Sequence, residues 1–220
     1  MTMIVTTENE LKRIAAPSLP LAPQQYESRY QDQFANVLRL YFNRLDEFFT
    51  RFNTGSGSID GSGLRLPYGA FSSDQDQTTT ANTATLMTLN TTDFANGVSI
   101  NTSKITVTTP GIYNLQFSTQ FANTNSNVED VYIWLRQNGA DIPGSTGFIS
   151  IPGSHGGTDG HSIVGWNYFL SMTAGQYIEI YWSVPNTAVS IQHLAASGTP
   201  TKPSTQSVVA TLSFVSALPA

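Results

Sequence analysis

The sequence predicts a mainly β protein, an antiparallel jelly-roll β-sandwich that follows an extended arm and one long N-terminal α-helix. Three observations support this fold class. Apolar and polar residues alternate in several short stretches beyond residue 64, one segment without Pro or Gly has helical spacing, and a Gly/Ser-rich stretch separates the two. With 220 residues, of which 40% are hydrophobic, the chain is long enough to bury a core of ordinary size.

Composition excludes several classes of function. Only 11% of the residues are charged and the net charge is −5, so counterion release would contribute little to nucleic-acid binding. We therefore expect no nucleic-acid partner. The chain has no Cys, which excludes disulfides, thiolate metal sites and thiol nucleophiles. Its start lacks the pattern of a signal peptide and no apolar run has the length of a membrane span, so we expect a soluble protein without membrane insertion.

The first third of the chain divides into an arm, a helix and a linker. The arm ends in PSLPLAP, where three prolines fix φ and remove backbone donors, and this predicts an extended conformation. TGSGSIDGSG has the composition of a flexible linker and marks a domain boundary. The predicted segments are the extended arm 1–23, the helical anchor 24–53, the linker 54–63 and the jelly-roll domain 64–220.

The helical segment carries an apolar seam with the spacing of a coiled coil. Intervals of four and three residues alternate along it, which is the a/d repeat of a left-handed supercoil. An amphipathic helix lying on its own domain is the alternative. Val37, Leu40, Phe42 and Phe49 lie off the seam and widen the apolar stripe, which favours a helix buried against a partner. We expect docking and oligomerisation through Phe34, Leu38, Tyr41, Leu45, Phe48 and Phe52.

Period-two patterns predict the strands of the sandwich. YNLQFSTQF alternates apolar and polar residues, which is typical of a strand with one buried face. VYIWLRQNG places Val131, Ile133 and Leu135 on one face, and then turns at Asn138-Gly139, a strong hairpin signal. The opposite face of this strand is also apolar, so Tyr132 and Trp134 are candidate trimer contacts. QYIEIYWSV and SVVATLSFV predict two more strands, and further ones are expected near 83–89, 104–108, 163–170 and 188–193.

Four ordered motifs carry a family resemblance. SKITVTTPGIYNLQFSTQF, VYIWLRQNG, GWNYFLSMTAGQYIEIYW and SVVATLSFV together resemble the C1q/TNF-type jelly roll, with its Pro-Gly-x-Tyr, Asn-Gly and Ala-Gly turns. They are more similar still to the C1q-like domains of virion structural proteins in marine tailed phages of the cyanophage type. The helical segment resembles a leader that precedes variable domains in such phages. The resemblance implies a homotrimer on a virion, in contact with other phage proteins of the tail, portal vertex or capsid.

Candidate chemistry is sparse. The loop GSHGGTDGH contains the weak metal candidates His155, Asp159 and His161, whose spacing matches no strong metal signature, so we expect no metal. Asp74 and Asp76 could contribute to a calcium site, but a solvated turn is the simpler interpretation. His193 is expected to be a satisfied structural residue. No P-loop, GxSxG or HExxH pattern is present, and we expect no catalytic residues and no cofactor.

The function expected from the sequence is therefore that of a virion structural protein, a trimeric jelly roll docked through its helix, and not an enzyme. The alternative is a host-surface or glycan-binding module at a fibre tip, which exposed Tyr, Trp and Asn side chains in loops between strands would support. A depolymerase would need paired carboxylates in a groove. The few acidic residues of the jelly-roll strands and loops give no reason to expect such a pair: Asp93, Glu129, Asp130, Asp141 and Glu179.

Overall fold

A computed structural model of the chain describes residues 17–21, 24–25, 27–53 and 66–219, and the side chains of its helix as far as residue 47. The chain divides into two compact units, Met1–Arg65 and Leu66–Ala220. The first contains helix α1, Ser28–Asn53, which begins four residues later than predicted. The part of the predicted arm at 17–21 has neither helix nor strand, and the predicted linker 54–63 lies outside the described residues.

The second unit consists of antiparallel strands, which confirms the predicted fold class. Within residues 66–219 the strands are β1 Tyr68–Ser73, β2 Thr85–Leu86, β3 Thr91–Asn96, β4 Val98–Asn101, β5 Lys104–Val107, β6 Gly111–Asn123, β7 Glu129–Gln137, β8 Ala140–Asp141, β9 Gly147–Ile151, β10 Gly160–Met172, β11 Tyr177–Ser183, β12 Val189–Ile191, β13 Ser197–Gly198, β14 Thr201–Lys202 and β15 Val208–Ser216.

Two sheets form the sandwich. Sheet I has the strand order β10-β6-β15-β1-β3, and β12 also pairs with β6. Sheet II has the order β4-β5-β11-β7-β8, with β2 paired to β11 and β9 paired to β7. Eight of these strands form the two four-stranded layers of the sandwich, and numbered one to eight in chain order they are β1, β5, β6, β7, β9, β10, β11 and β15. In this numbering sheet I has the order 6-3-8-1 and sheet II has the order 2-7-4-5. This is the strand order of a jelly roll.

The core lies between the sheets and follows the alternation that the sequence predicts. On β6 the residues at alternate positions from Tyr113 to Phe121 are at most 5% exposed. They belong to the same cluster as Ile133 of β7 and Trp182 of β11, both fully or almost fully buried. The hydroxyl of Tyr113 donates a hydrogen bond to the carbonyl oxygen of Thr109 at 2.7 Å, and burial raises the pKa of Tyr113 to about 12.

The predicted hairpin after β7 is confirmed. Asn138 and Gly139 have φ values of 51° and 82°, and they join β7 to β8 with Arg136 opposite Asp141. Both positions need positive φ in a two-residue turn of this kind, which Asn and Gly adopt at low cost.

Other strand predictions are met to different degrees. The strands expected near 104–108, 163–170 and 188–193 are β5, β10 and β12, whereas the one near 83–89 shortens to the two residues of β2. The sequence signals did not predict β1, which lies between β15 and β3. Five of its six residues are buried, so YGAFSS shows no alternation that a pattern search could detect.

Candidate interaction surfaces

The outer face of sheet I is free of charged residues except at its edge strand β3, which contains Asp93, and we call the charge-free part the neutral face. Its four adjacent strands β1, β6, β10 and β15 contain no Asp, Glu, Lys or Arg. Strand register places Phe169, Asn114, Ser213 and Tyr68 in one row across these strands. Several large apolar side chains on this face and its edges are exposed, namely Tyr68 44%, Phe94 62%, Ile163 72%, Phe169 59% and Val215 49%. Depletion of charge together with exposed apolar side chains is typical of a protein interface.

A cavity of about 320 Å³ lies at one end of the neutral face. It is lined by Gln120 of β6, His161 and Ile163 of β10, and Gln192 and Leu194 beyond β12. The Oε1 atom of Gln192 is buried and has no hydrogen-bond partner among the described residues. A buried acceptor without a donor is costly in free energy.

The outer face of sheet II, unlike the neutral face, carries charged residues, and its Arg136–Asp141 ion pair is surrounded by aromatic rings. The Nε1 atom of Trp134 and the Nε atom of Arg136 each donate a hydrogen bond of 2.8 Å to Oδ1 of Asp141. Trp134 stacks on Tyr181 with ring centroids 5.9 Å apart, and the guanidinium carbon of Arg136 lies 4.0 Å from the Tyr181 ring centroid. The hydrogen bond with Arg136, and then that with Trp134, lowers the pKa of Asp141 below its ordinary value.

A second aromatic pair lies next to this ion pair. Tyr132 of β7 and Phe148 of β9 have ring centroids 6.0 Å apart and an interplanar angle of 34°. They are 41% and 71% exposed. Beside them, Ser150 donates a hydrogen bond of 2.6 Å to Oδ1 of Asp130. We define the aromatic face as the outward side chains of Asp130, Tyr132, Trp134, Arg136, Asp141, Phe148 and Tyr181.

The two candidate trimer contacts belong to the aromatic face. Tyr132 and Trp134 point away from the core, as the alternation of VYIWLRQ predicts, because Val131, Ile133 and Leu135 are buried. Trp134 already contacts Tyr181 and Asp141 within its own chain, so its ring and its N–H are partly used. A role for these two residues in a trimer stays a prediction.

Helix α1 has an apolar seam that is only partly covered. Phe34, Leu38, Tyr41 and Leu45 are each half-buried, and Leu40 and Phe42 are 50% and 60% exposed. None of the described side chains of α1 is buried. The predicted seam residues Phe48 and Phe52, and the off-seam Phe49, lie outside the residues whose side chains are described. The described part of the helix therefore presents apolar area that is partly exposed.

The weak metal candidates do not form a cluster. No three His, Cys, Asp or Glu side chains among the described residues lie close enough together to hold a metal ion. His155 is exposed in the loop before β10, and its backbone N–H donates to the carbonyl of Thr158 at 2.9 Å. His161 lines the cavity of the neutral face.

The other candidate ligands have partners within the chain. Asp74 accepts a hydrogen bond of 2.7 Å from the Asn90 amide, and Asp76 accepts one of 2.7 Å from the backbone N–H of His193. The prediction that His193 is satisfied is wrong in one respect, because its buried Nδ1 has no hydrogen-bond partner among the described residues.

Several acidic side chains within residues 66–219 accept hydrogen bonds from neighbouring side chains. Asp93 accepts a hydrogen bond of 3.0 Å from Ser72, and Glu129 accepts bonds of 2.6 and 2.7 Å from Asn125 and Asn186. Glu179 is 4% exposed and lies opposite Arg136 on the neighbouring strand. Sequence reasoning missed the contributions of Phe148 and Asp141 to the aromatic face, because both reach it through strand pairing with β7.

Comparison with known proteins adds no family assignment. No family model matches the chain, and no curated protein matches it at a significant level. Within the described residues, helix α1 lacks the apolar length that crossing a bilayer would require.

Proposed function

We propose that the protein is a structural component of a tailed-phage virion, a homotrimeric jelly roll docked on the tail, portal vertex or capsid through helix α1. The observation that carries the proposal is the neutral face, in which four adjacent strands without a charged residue present exposed apolar side chains. A surface of this kind is more stable when a second protein surface covers it. Homo-oligomers usually close through point-group symmetry, and the resemblance to C1q/TNF-type domains favours three chains.

The neutral face suits a subunit contact better than the aromatic face does. Burying an ion pair such as Arg136–Asp141 has a desolvation cost that a subunit contact must offset, whereas burying Ile163 or Phe169 has none. The amide and hydroxyl groups of Asn114, Gln116 and Thr211 supply hydrogen bonds across such a contact without carrying charge. Tyr132 and Trp134 are then left for another role.

Helix α1 supplies the docking element of the proposal. Its seam is half-covered and its off-seam residues Leu40 and Phe42 are exposed, so association with sister helices or with another virion protein would bury additional apolar area. The carboxylates of Asp93 and Glu129 support a structural role over a hydrolytic one, because each already accepts a hydrogen bond from a neighbouring side chain.

Incorporation into particles tests the docking role. The Leu38→Ser, Tyr41→Ser and Leu45→Ser changes are combined in one variant that is expressed during infection. We expect a folded protein that is absent from purified virions by mass spectrometry. The matched control combines Gln31→Ser, Gln33→Ser and Asn43→Ser, which lie at exposed positions of the same helix and should be incorporated normally.

Normal incorporation of the apolar-seam variant would show that the arm or the jelly roll makes the attachment, and the docking role of α1 would be wrong. Absence of the unmodified protein from purified virions would remove the virion assignment itself. If neither the apolar-seam variant nor the control variant is incorporated into virions, incorporation requires a stable helix and does not depend specifically on its apolar seam.

A further inference from the structure

The aromatic face combines flat apolar rings with unused hydrogen-bond acceptors. Tyr132 and Phe148 expose their rings side by side, and Trp134 and Tyr181 form the neighbouring row. Asp130 lies at one end of this row of rings, and Asp141 at the other. Among the described residues, each of these carboxylates accepts hydrogen bonds only at its Oδ1 atom. Two acceptor oxygens therefore flank a platform of aromatic rings.

The dimensions of this platform suit an extended ligand. Asp130 and Arg136 are six residues apart on β7, which corresponds to about 20 Å along a strand. The rings lie between them, and Asp141 is 58% exposed at the far end. An oligosaccharide of a few pyranose units has this length. The C–H faces of pyranose rings stack on aromatic rings, and their hydroxyl groups donate to carboxylates.

We propose that the aromatic face binds a neutral oligosaccharide along β7. Pyranose rings lie on Tyr132 and Phe148, and hydroxyl groups donate to the unused oxygens of Asp130 and Asp141. The hydrogen bonds from Trp134 and Arg136 hold the Asp141 carboxylate in place before the ligand arrives, so little side-chain entropy is lost on binding. The neutral face belongs to the other sheet, so this site does not depend on the proposed function.

The carboxylates of the aromatic face favour a neutral oligosaccharide over nucleic acids and acidic polysaccharides. Nucleic acids and acidic polysaccharides would bring phosphate or carboxylate groups next to Asp130 and Asp141, and the guanidinium group of Arg136 is already paired with Asp141. A protein partner would need a larger covered area than two exposed rings provide, since specific interfaces bury roughly 800 Å² on each side. A neutral oligosaccharide brings no anionic group next to the two carboxylates, and it needs a smaller contact area than a protein partner.

The test uses the full-length protein labelled with ¹⁵N at tryptophan. The chain has three Trp residues, and Trp134 lies on the aromatic face, whereas Trp182 is fully buried and Trp166 packs on Phe117. Maltohexaose, cellohexaose and mannohexaose are titrated separately, with hexagalacturonate as the anionic comparison. We expect saturable shifts of the Trp134 indole signal with at least one neutral hexasaccharide, a Kd on the order of 1 mM, and no shift at Trp182.

Three variants locate the site. Tyr132→Ser combined with Phe148→Ser should weaken binding at least tenfold, and Asp141→Asn should weaken it several-fold. Phe42→Ser is the matched control, because Phe42 on helix α1 is 60% exposed and Phe148 is 71% exposed, and this change should leave the Kd unaltered. Circular dichroism and thermal melting confirm that each variant is folded.

Several results would overturn the proposal. These are the absence of any Trp134 shift with all three neutral hexasaccharides, binding of hexagalacturonate alone, and an unchanged Kd in the folded Tyr132→Ser/Phe148→Ser variant. A change of oligomeric mass in that variant, without saccharide binding by the unmodified protein, would identify the aromatic face as a subunit contact. Because virion incorporation is measured separately, failure of this proposal is distinct from failure of the assembly role.

Discussion

Replacing Ile163 and Phe169 by Ser tests whether the neutral face forms the subunit contact. Both side chains lie on β10 and point to solvent, with 72% and 59% of their surface exposed. The variant is made in residues 64–220, so that helix α1 cannot hold the chains together. We expect this part of the chain to fold alone, because the core cluster contains residues of the sandwich only.

The magnitude follows from the exposed fractions. Complete burial of a side chain of this size contributes about 1.5 to 3 kcal/mol, so burying the exposed 72% and 59% would contribute roughly 2 to 4 kcal/mol for each chain. Three chains lose about 6 to 12 kcal/mol in total, which corresponds to at least a factor of about 10⁴ in the trimer association constant. Stability of the single chain should change by less than about 1 kcal/mol, because both positions are on the surface.

Light scattering and sedimentation velocity measure the outcome at micromolar concentration. We expect the unmodified sandwich to be a trimer and the Ile163→Ser/Phe169→Ser variant to be a monomer with the same circular dichroism. The matched control is Tyr132→Ser/Phe148→Ser on the aromatic face, which should remain trimeric. This control also tests the sequence-based assignment of Tyr132 as a trimer contact.

Two results would refute the reasoning. A monomeric unmodified sandwich would show that the neutral face does not support self-association at this concentration. A trimer that survives in the Ile163→Ser/Phe169→Ser variant and dissociates in the Tyr132→Ser/Phe148→Ser control would move the contact to the aromatic face.

Three further predictions concern stability. The pKa of Asp141 is lowered in the folded state. The interactions of its carboxylate therefore stabilise the protein fully at pH values above the ordinary pKa of 3.8, and this stabilisation is lost as the pH falls through the folded-state pKa. The Tm difference between the unmodified protein and Asp141→Asn should therefore shrink as the pH falls below 3.8 and vanish once the carboxyl group is protonated in the folded state, and a difference that does not shrink with falling pH would contradict this origin. EDTA should leave the Tm unchanged, and a drop that zinc or calcium reverses would restore the metal interpretation of the weak candidates. Gly160→Ala should destabilise the protein by roughly 1 to 3 kcal/mol in urea titrations, because an added Cβ would lie 1.8 Å from the Pro152 carbonyl oxygen. Gly198→Ala has no atom within 4 Å of the added Cβ and serves as the control, and equal effects of the two changes would exclude the steric explanation.

The sequence by itself determined the features that depend only on residues close to one another along the chain. Alternation along β6 and β7 identified the buried face of each strand, because successive side chains of a strand point to opposite sides. The Asn138-Gly139 pair identified a hairpin, because its positive φ values are a local requirement. The helical spacing beyond Pro23 identified α1, although its first turn begins later than the apolar pattern suggested.

Only the tertiary structure decided which side chains meet on each outer face. β1 lies between two strands and is buried along most of its length, so its sequence has no periodic signal. Phe148 joins Tyr132, and Ile163 lies beside Gln120, through registers between strands that are distant in sequence. A one-residue change of register would move each of these side chains to the opposite face of its sheet. Local patterns cannot specify long-range register, and for this reason the neutral face and the aromatic face became apparent only in the folded chain.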